Sequence, residues 1–179
     1  MSGKARLIGL TGTNGAGKGE AAAYFMSRGY AYLSLSDILR EELRARGLEV
    51  SRDNLIRTGN ELRREFGPDV LARRTLARAA GPTVIDSIRN VREIAYFRTA
   101  GDFVLLAVDA PIEIRFARVS ARGRDESAAT LDEFRRKEDL ERAGGESAQQ
   151  LEACLAAADH VIINDGTLED LRRKLEDLL

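Results

Sequence analysis

Leu7 to Glu20 reads LIGLTGTNGAGKGE, and this stretch decides the fold. Leu7-Ile8-Gly9-Leu10 is a short apolar run of the kind that forms a buried strand. It breaks at Gly12; Gly15, Gly17 and Lys18 follow, and then Glu20 to Met26 reads as a helix. Strand, glycine-rich loop, lysine and helix in that order is the context a phosphate-binding loop requires. Glycines let the backbone turn several N–H groups toward one anion. The first helical turn adds unpaired N–H groups and the positive end of its dipole. A lysine at position 18 brings a mobile ammonium to the outer phosphates. The spacing Gly12-x-x-x-x-Gly17-Lys18 fits that loop, so Gly12, Thr13, Asn14, Gly15, Ala16, Gly17, Lys18, Gly19 and Glu20 are the nucleotide-binding set. Position 19 usually carries a hydroxyl for magnesium; here it is glycine.

The whole chain has 179 residues, enough for one domain with a sizeable core. It is 44% apolar and 32% charged, in the range of soluble globular proteins. A net charge of −1 argues against general nucleic-acid binding. The single cysteine, Cys154, excludes an internal disulfide and reads as a small buried side chain. No apolar run approaches membrane-spanning length and no signal peptide is visible, so the expected location is the cytoplasm.

Apolar strands alternate with helical patterns along the chain. Strands are expected to start near Leu7, Tyr30, Thr83, Phe103 and Val161. Ser36 is the expected cap of a helix over Ile38–Arg46, Ser51 caps another, and Asp69–Ala80 is helical. Thr130 with Glu133 makes a capping box, and Thr167 caps the last helix. A helix is expected from Ser147 to Ala158 after the Gly144-Gly145 break. The pattern is that of an α/β domain with a five-stranded, mainly parallel sheet. Residues 37–80 contain no strand and read as a helical insertion. In such sheets ligands gather at the carboxyl ends of the strands. That rule collects the loop, Ser36-Asp37, Asp86, Asp109 and Asn164 on one edge.

Gly17-Lys18-Gly19 resembles the loop of adenylate kinases and other nucleoside monophosphate kinases. Ile8-Gly9-Leu10-Thr11-Gly12, with Tyr24-Phe25 and Gly29-Tyr30, is equally similar to dephospho-CoA kinases. The resemblance implies a P-loop three-layer sandwich, ATP and Mg2+ as cofactors, a small-molecule nucleotide acceptor, no nucleic-acid or membrane partner, and a monomer. Leu35-Ser36-Asp37-Ile38-Leu39-Arg40 resembles the Gly-Asp-Leu-Leu-Arg stretch of adenylate kinases, which makes Arg40 an acceptor-phosphate ligand. Asp86-Ser87-Ile88-Arg89 resembles their Asp-Gly-Phe-Pro-Arg stretch: Asp86 would order magnesium through water and Arg89 would grip the acceptor. Residues 37–80 become the acceptor-binding flap and residues 123–146 the lid.

Val108-Asp109-Ala110-Pro111 leads toward Arg118 and Arg122, which match lid-base arginines contacting donor phosphates. Lys18, Arg89, Arg118 and Arg122 are then the charge-stabilising catalytic set. Arg124, Arg135, Arg136 and Arg142 extend it, although Arg135 and Arg136 alternate with acids and read equally as a solvated face. Asn164 and Gly166 resemble the closing Asn-x-Gly of dephospho-CoA kinases, beside the donor adenine.

Two readings of the acceptor stay open. A nucleoside or deoxynucleoside monophosphate needs no general base, because its phosphate is already ionised. Dephospho-CoA offers a hydroxyl, and Asp37 would be its base and part of the substrate site. Asn60 is a weaker acceptor contact: Gly59 beside it costs helix stability, so either a ligand or a neighbouring helix approaches closely there. His160 begins the last strand, far from the phosphate edge, and reads as structural. A third reading is a nucleotide-binding switch or slow NTPase. Ile163-Asn164-Asp165-Gly166 lacks the lysine of a guanine-reading motif, which disfavours GTP.

Overall fold

Strand β1 (Leu7–Gly12) is buried along its whole length, as a strand with neighbours on both edges and helices on both faces must be. The computed structural model describes residues 7–122, 130–142 and 150–178. The order is β1, α1 (Lys18–Ser27), β2 (Ala31–Ser34), α2 (Leu35–Ala45), α3 (Arg52–Phe66), α4 (Val70–Leu76), β3 (Thr83–Asp86) and α5 (Val91–Arg98). It continues through β4 (Phe103–Asp109), α6 (Ile112–Ala121), α7 (Leu131–Arg142), α8 (Leu151–Ala156), β5 (His160–Ile163) and α9 (Leu168–Glu176). The sheet order is β2-β3-β1-β4-β5, and every recorded pair is parallel. This is the expected five-stranded α/β sandwich of P-loop kinases.

Strand alternation sorts the core into two layers. Leu7, Ile85 and Leu105 point to one face, where they meet Leu35, Leu62, Leu71, Ile94 and Phe97. Ile8, Val84 and Leu106 point to the other, where Phe25, Leu171 and Leu175 cover them. Cys154 is fully buried in the first layer.

Several boundaries differ from the sequence expectation. Ser34, not Ser36, caps α2: its Oγ accepts the Ser36 N–H at 3.2 Å. Ser34 is extended and ends β2, so strand passes directly into helix and α2 begins at Leu35 rather than Ile38. Helix α4 is shorter than Asp69–Ala80, spanning Val70–Leu76. Helix α8 begins at Leu151; Ser147, Gly144-Gly145, Arg124, the Arg142 side chain and residues 123–129 and 143–146 of the lid lie outside the described residues. Ser51 caps α3 and Thr167 caps α9, the latter in a reciprocal box with Asp170. His160 is exposed at the start of β5. Among the described residues no helix is long and apolar enough to cross a membrane.

The close approach at Gly59 is to helix α2. A Cβ there would lie 3.4 Å from Leu39 Cδ1 and 3.2 Å from Arg63 Nη1. The glycine lets α2 and α3 pack tightly, which answers the choice between ligand and neighbour in favour of the helix.

Candidate functional site

The loop between β1 and α1 turns through Gly12, Gly15 and Gly17 at φ of 141°, 78° and 106°. Gly17 is the N-cap of α1, and no side chain caps that helix. Its first-turn N–H groups are therefore left for an anion. The Lys18 ammonium folds back on the carbonyl oxygens of Gly12 and Thr13, both at 2.8 Å. Burial pushes its pKa down to about 7; Arg89 adds to the effect and Asp86 opposes it. A lysine held in this way gains from an arriving polyphosphate, so the loop fits the group that the sequence implies. A Cβ at Gly19 would meet nothing within 4 Å, and Glu20 is exposed to solvent.

The back of the loop is braced from three elements. Asn164 Nδ2 donates to the Ala16 carbonyl at 2.8 Å from the end of β5. Arg118 of α6 donates to the Asn164 carbonyl at 3.0 Å and to Ala16 O at 3.4 Å. Thr13 Oγ1 donates to Asp109 at 2.6 Å. Arg115 donates to Ala110 O at 2.8 Å and to Asn14 O at 3.3 Å, and pairs with Glu138 of α7 inside the protein. Sequence reasoning passed over Arg115. Its place beside Phe116, on the inner stripe of α6, was the available signal.

Gly17 is a position at which this bracing admits no side chain. A Cβ would lie 2.3 Å from Asn164 Nδ2, at a φ that L residues rarely adopt. Gly17→Ala is expected to weaken ATP binding by tenfold or more, as isothermal titration would show. Adding Asn164→Ala removes the clash but not the backbone strain, so the double variant should stay weak. Full recovery would mean that the clash alone matters.

In front of the loop lies a cavity of about 280 Å³. Lys18, Arg40, Arg52, Arg63, Arg89 and Arg122 contribute to its lining, against one carboxylate among the described residues, Asp86. Leu35, Leu39, Leu55, Ile56 and Leu71 of α2, α3 and α4 supply an apolar wall. Burial and the nearby Arg52 push the Arg89 pKa down from its usual value. Asp86 Oδ1 accepts the Ser87 N–H at 2.6 Å, and its Oδ2 accepts the Tyr32 hydroxyl at 3.2 Å.

Glu93 of α5 supports the Arg63 and Arg89 side of the cavity from behind. It is fully buried, and its Oε1 accepts from Arg63 at 2.8 and 3.1 Å. Its Oε2 accepts the backbone N–H groups of Arg89 and Asn90, each at 3.1 Å. Burial pushes the Glu93 pKa up, and Arg63 is the main opposing influence.

The sequence candidates therefore separate into groups. Asn14, Gly15, Gly17, Lys18, Gly19, Arg40, Asp86, Arg89 and Arg122 line the cavity. Gly12, Thr13, Ala16, Arg118 and Asn164 form or brace the loop behind it. Asp37 and Asn60 are absent from the lining; Asp37 instead pairs with Arg40 at 2.9 Å, and Asn60 Oδ1 is buried without a hydrogen-bond partner. Gly166 stands against Asp170 and Glu20 faces water, so neither lines the cavity. Arg135 and Arg136 are exposed on α7, as a solvated face would be.

Residues 8–144 match the family described as AAA domain. A UPF0200 protein of Thermococcus gammatolerans is 33% identical over 97% of this chain and 93% of its own length. One from Hyperthermus butylicus is 35% identical over 100% of this chain and 96% of its own. Shikimate kinase from Aquifex aeolicus superposes with a TM-score of 0.58 over 96% of this chain and 94% of that one, at 15% identity. That likeness establishes the kinase-like P-loop fold.

Proposed function

The chain belongs to the UPF0200 protein family, and we propose that it moves the γ-phosphate of magnesium ATP to a nucleoside or deoxynucleoside monophosphate. The observation that carries this reading is the cavity lining: among the described residues, six basic side chains and one carboxylate line it, and of the six Arg63 and Arg40 are held by carboxylates outside the lining, Glu93 and Asp37. Such a surface suits two anions brought together, a donor polyphosphate and an acceptor phosphate. The apolar wall of α2–α4 gives the acceptor's base or sugar a place to pack.

Lys18 and the N–H groups of the glycine loop would hold the β- and γ-phosphates of ATP. Asp86 would hold Mg2+ through water. Bound magnesium ATP supplies the transferable phosphoryl group. Arg89 and Arg40 would orient the acceptor phosphate, and Arg122 would offset charge on the transferred group. With Asp86 assigned to the metal, no second carboxylate lines the cavity among the described residues to take a proton from a hydroxyl acceptor. An ionised phosphate needs none, which favours the monophosphate over dephospho-CoA.

A coupled ADP-release assay with ribo- and deoxyribonucleoside monophosphates and dephospho-CoA tests the proposal. Strong release with a monophosphate is expected. Release only with dephospho-CoA would overturn it, and ATP binding without acceptor-dependent release would favour a nucleotide switch.

Lys18 also sets an expected pH dependence. Its pKa without ligand is about 7, and phosphates beside it raise that value, so binding takes up a proton above pH 7. Affinity for magnesium ATP should fall as pH rises through 7, by at most about tenfold per unit. Titration calorimetry from pH 6 to 9 with excess magnesium reads the slope. Lys18→Met should remove it; a slope unchanged in that variant would assign the effect to another group.

A further inference from the structure

We infer that the Ser87 hydroxyl is a binding contact of the acceptor site, donating a hydrogen bond to an anionic oxygen of the acceptor beside Arg89. The inference deepens the phosphotransfer reading and rests on it. Ser87 lines the cavity between Asp86 and Arg89 in sequence. Its φ is 67°, and among the described residues it is the non-glycine residue with positive φ. Glycine would take that conformation freely, whereas a side chain is strained there. The neighbours enforce the turn. Asp86 accepts the Ser87 N–H at 2.6 Å, the Ile88 N–H donates to Leu10 O at 3.3 Å, and Thr11 Oγ1 donates to Ile88 O at 2.9 Å. Strain held in this way, at the wall of a ligand cavity, points to a use for the side chain.

Hydrogen-bond accounting supplies that use. The Ser34 oxygen accepts the N–H of Ser36 as the cap of α2, and its own proton goes to Ser87 Oγ, 3.2 Å away. With Ser34 as the donor of that pair, Ser87 Oγ accepts on that side and its own proton can turn to the cavity. The partner that suits a hydroxyl donor near Lys18 and Arg89 is an oxyanion, and an O–H···O⁻ bond is of the strong, charge-assisted kind.

Two substitutions separate the hydroxyl from the backbone. Ser87→Gly removes the hydroxyl and relieves the strain; Ser87→Ala removes the hydroxyl and keeps it. Transfer is measured with the ribo- and deoxyribonucleoside monophosphates, thymidine monophosphate included, carrying forward the one turned over best. Both variants should raise its KM by about tenfold, with the KM for magnesium ATP within about twofold of the unchanged chain. Calorimetric binding of that monophosphate without ATP should weaken by the same factor, and Ser87→Gly should melt higher than Ser87→Ala. An unchanged or lower acceptor KM in Ser87→Gly would overturn the inference and leave Ser87 a turn residue. Absence of transfer in the unsubstituted chain overturns the phosphotransfer reading, and this inference with it. The two failures are thus seen in different proteins.

Discussion

Lys18→Ala is expected to lower phosphoryl transfer by about a thousandfold or more while leaving the fold intact. Preorganised positive charge at a transferring phosphoryl group is usually the largest single contribution to such catalysis, and one donor is worth about 10²–10³ in rate. Lys18 adds full charge at the head of α1, where the loop has no other ammonium. The unliganded fold does not depend on it. Its ammonium rests only on the carbonyl oxygens of Gly12 and Thr13, and burial has already drawn its pKa down to about 7. Removing a poorly solvated cation should leave the melting temperature equal or slightly higher. Steady-state rates and a thermal melt on the same preparation check both halves. Near-normal transfer would remove Lys18 from the chemistry; a collapsed fold would make it structural.

Glu93→Ala should destabilise the protein by about 3–5 kcal/mol, because it strands the buried Arg63 guanidinium without its partner. It also leaves the N–H groups of Arg89 and Asn90 without their acceptor and removes the capping box of α5. At about 2–4 °C per kcal/mol for a chain of this size, the melting temperature should fall by roughly 10 °C or more. The double variant Arg63→Met with Glu93→Leu should recover most of that loss, since a packed apolar pair replaces a buried ion pair at little cost. Its acceptor KM should remain high, because Arg89 has lost the carboxylate that fixes its backbone. A single-variant loss below about 1 kcal/mol would show that Arg63 finds water or another partner. Recovery of both stability and KM would show that Glu93 serves the core alone.

Local spacing made the nucleotide end legible. The glycines and Lys18 sit within seven residues, and strand β1 and helix α1 flank them, so reading along the chain found them. Asp86 and Arg89 were legible because a short apolar run ends beside them and strand ends gather on one edge. The pair Arg63–Glu93 was not, because thirty residues separate its members and each lies on an ordinary-looking helix. Glu93 serves at once as capping residue and buried counter-ion, and only the first role leaves a local trace. Asn164 read as a nucleotide contact; in the fold its amide is buried against the loop from behind. Asp37 lies in the same sequence word as Arg40, but in the fold it pairs with Arg40 beside the cavity and does not line it.

The most direct test of phosphate-to-phosphate transfer is to follow the label from γ-labelled ATP. The chain is incubated with magnesium and an equimolar panel of nucleoside monophosphates and dephospho-CoA, and the labelled product is identified by mass. Label on the terminal phosphate of a nucleoside diphosphate is the expected result. Label on a hydroxyl ester, or only in inorganic phosphate, would contradict it.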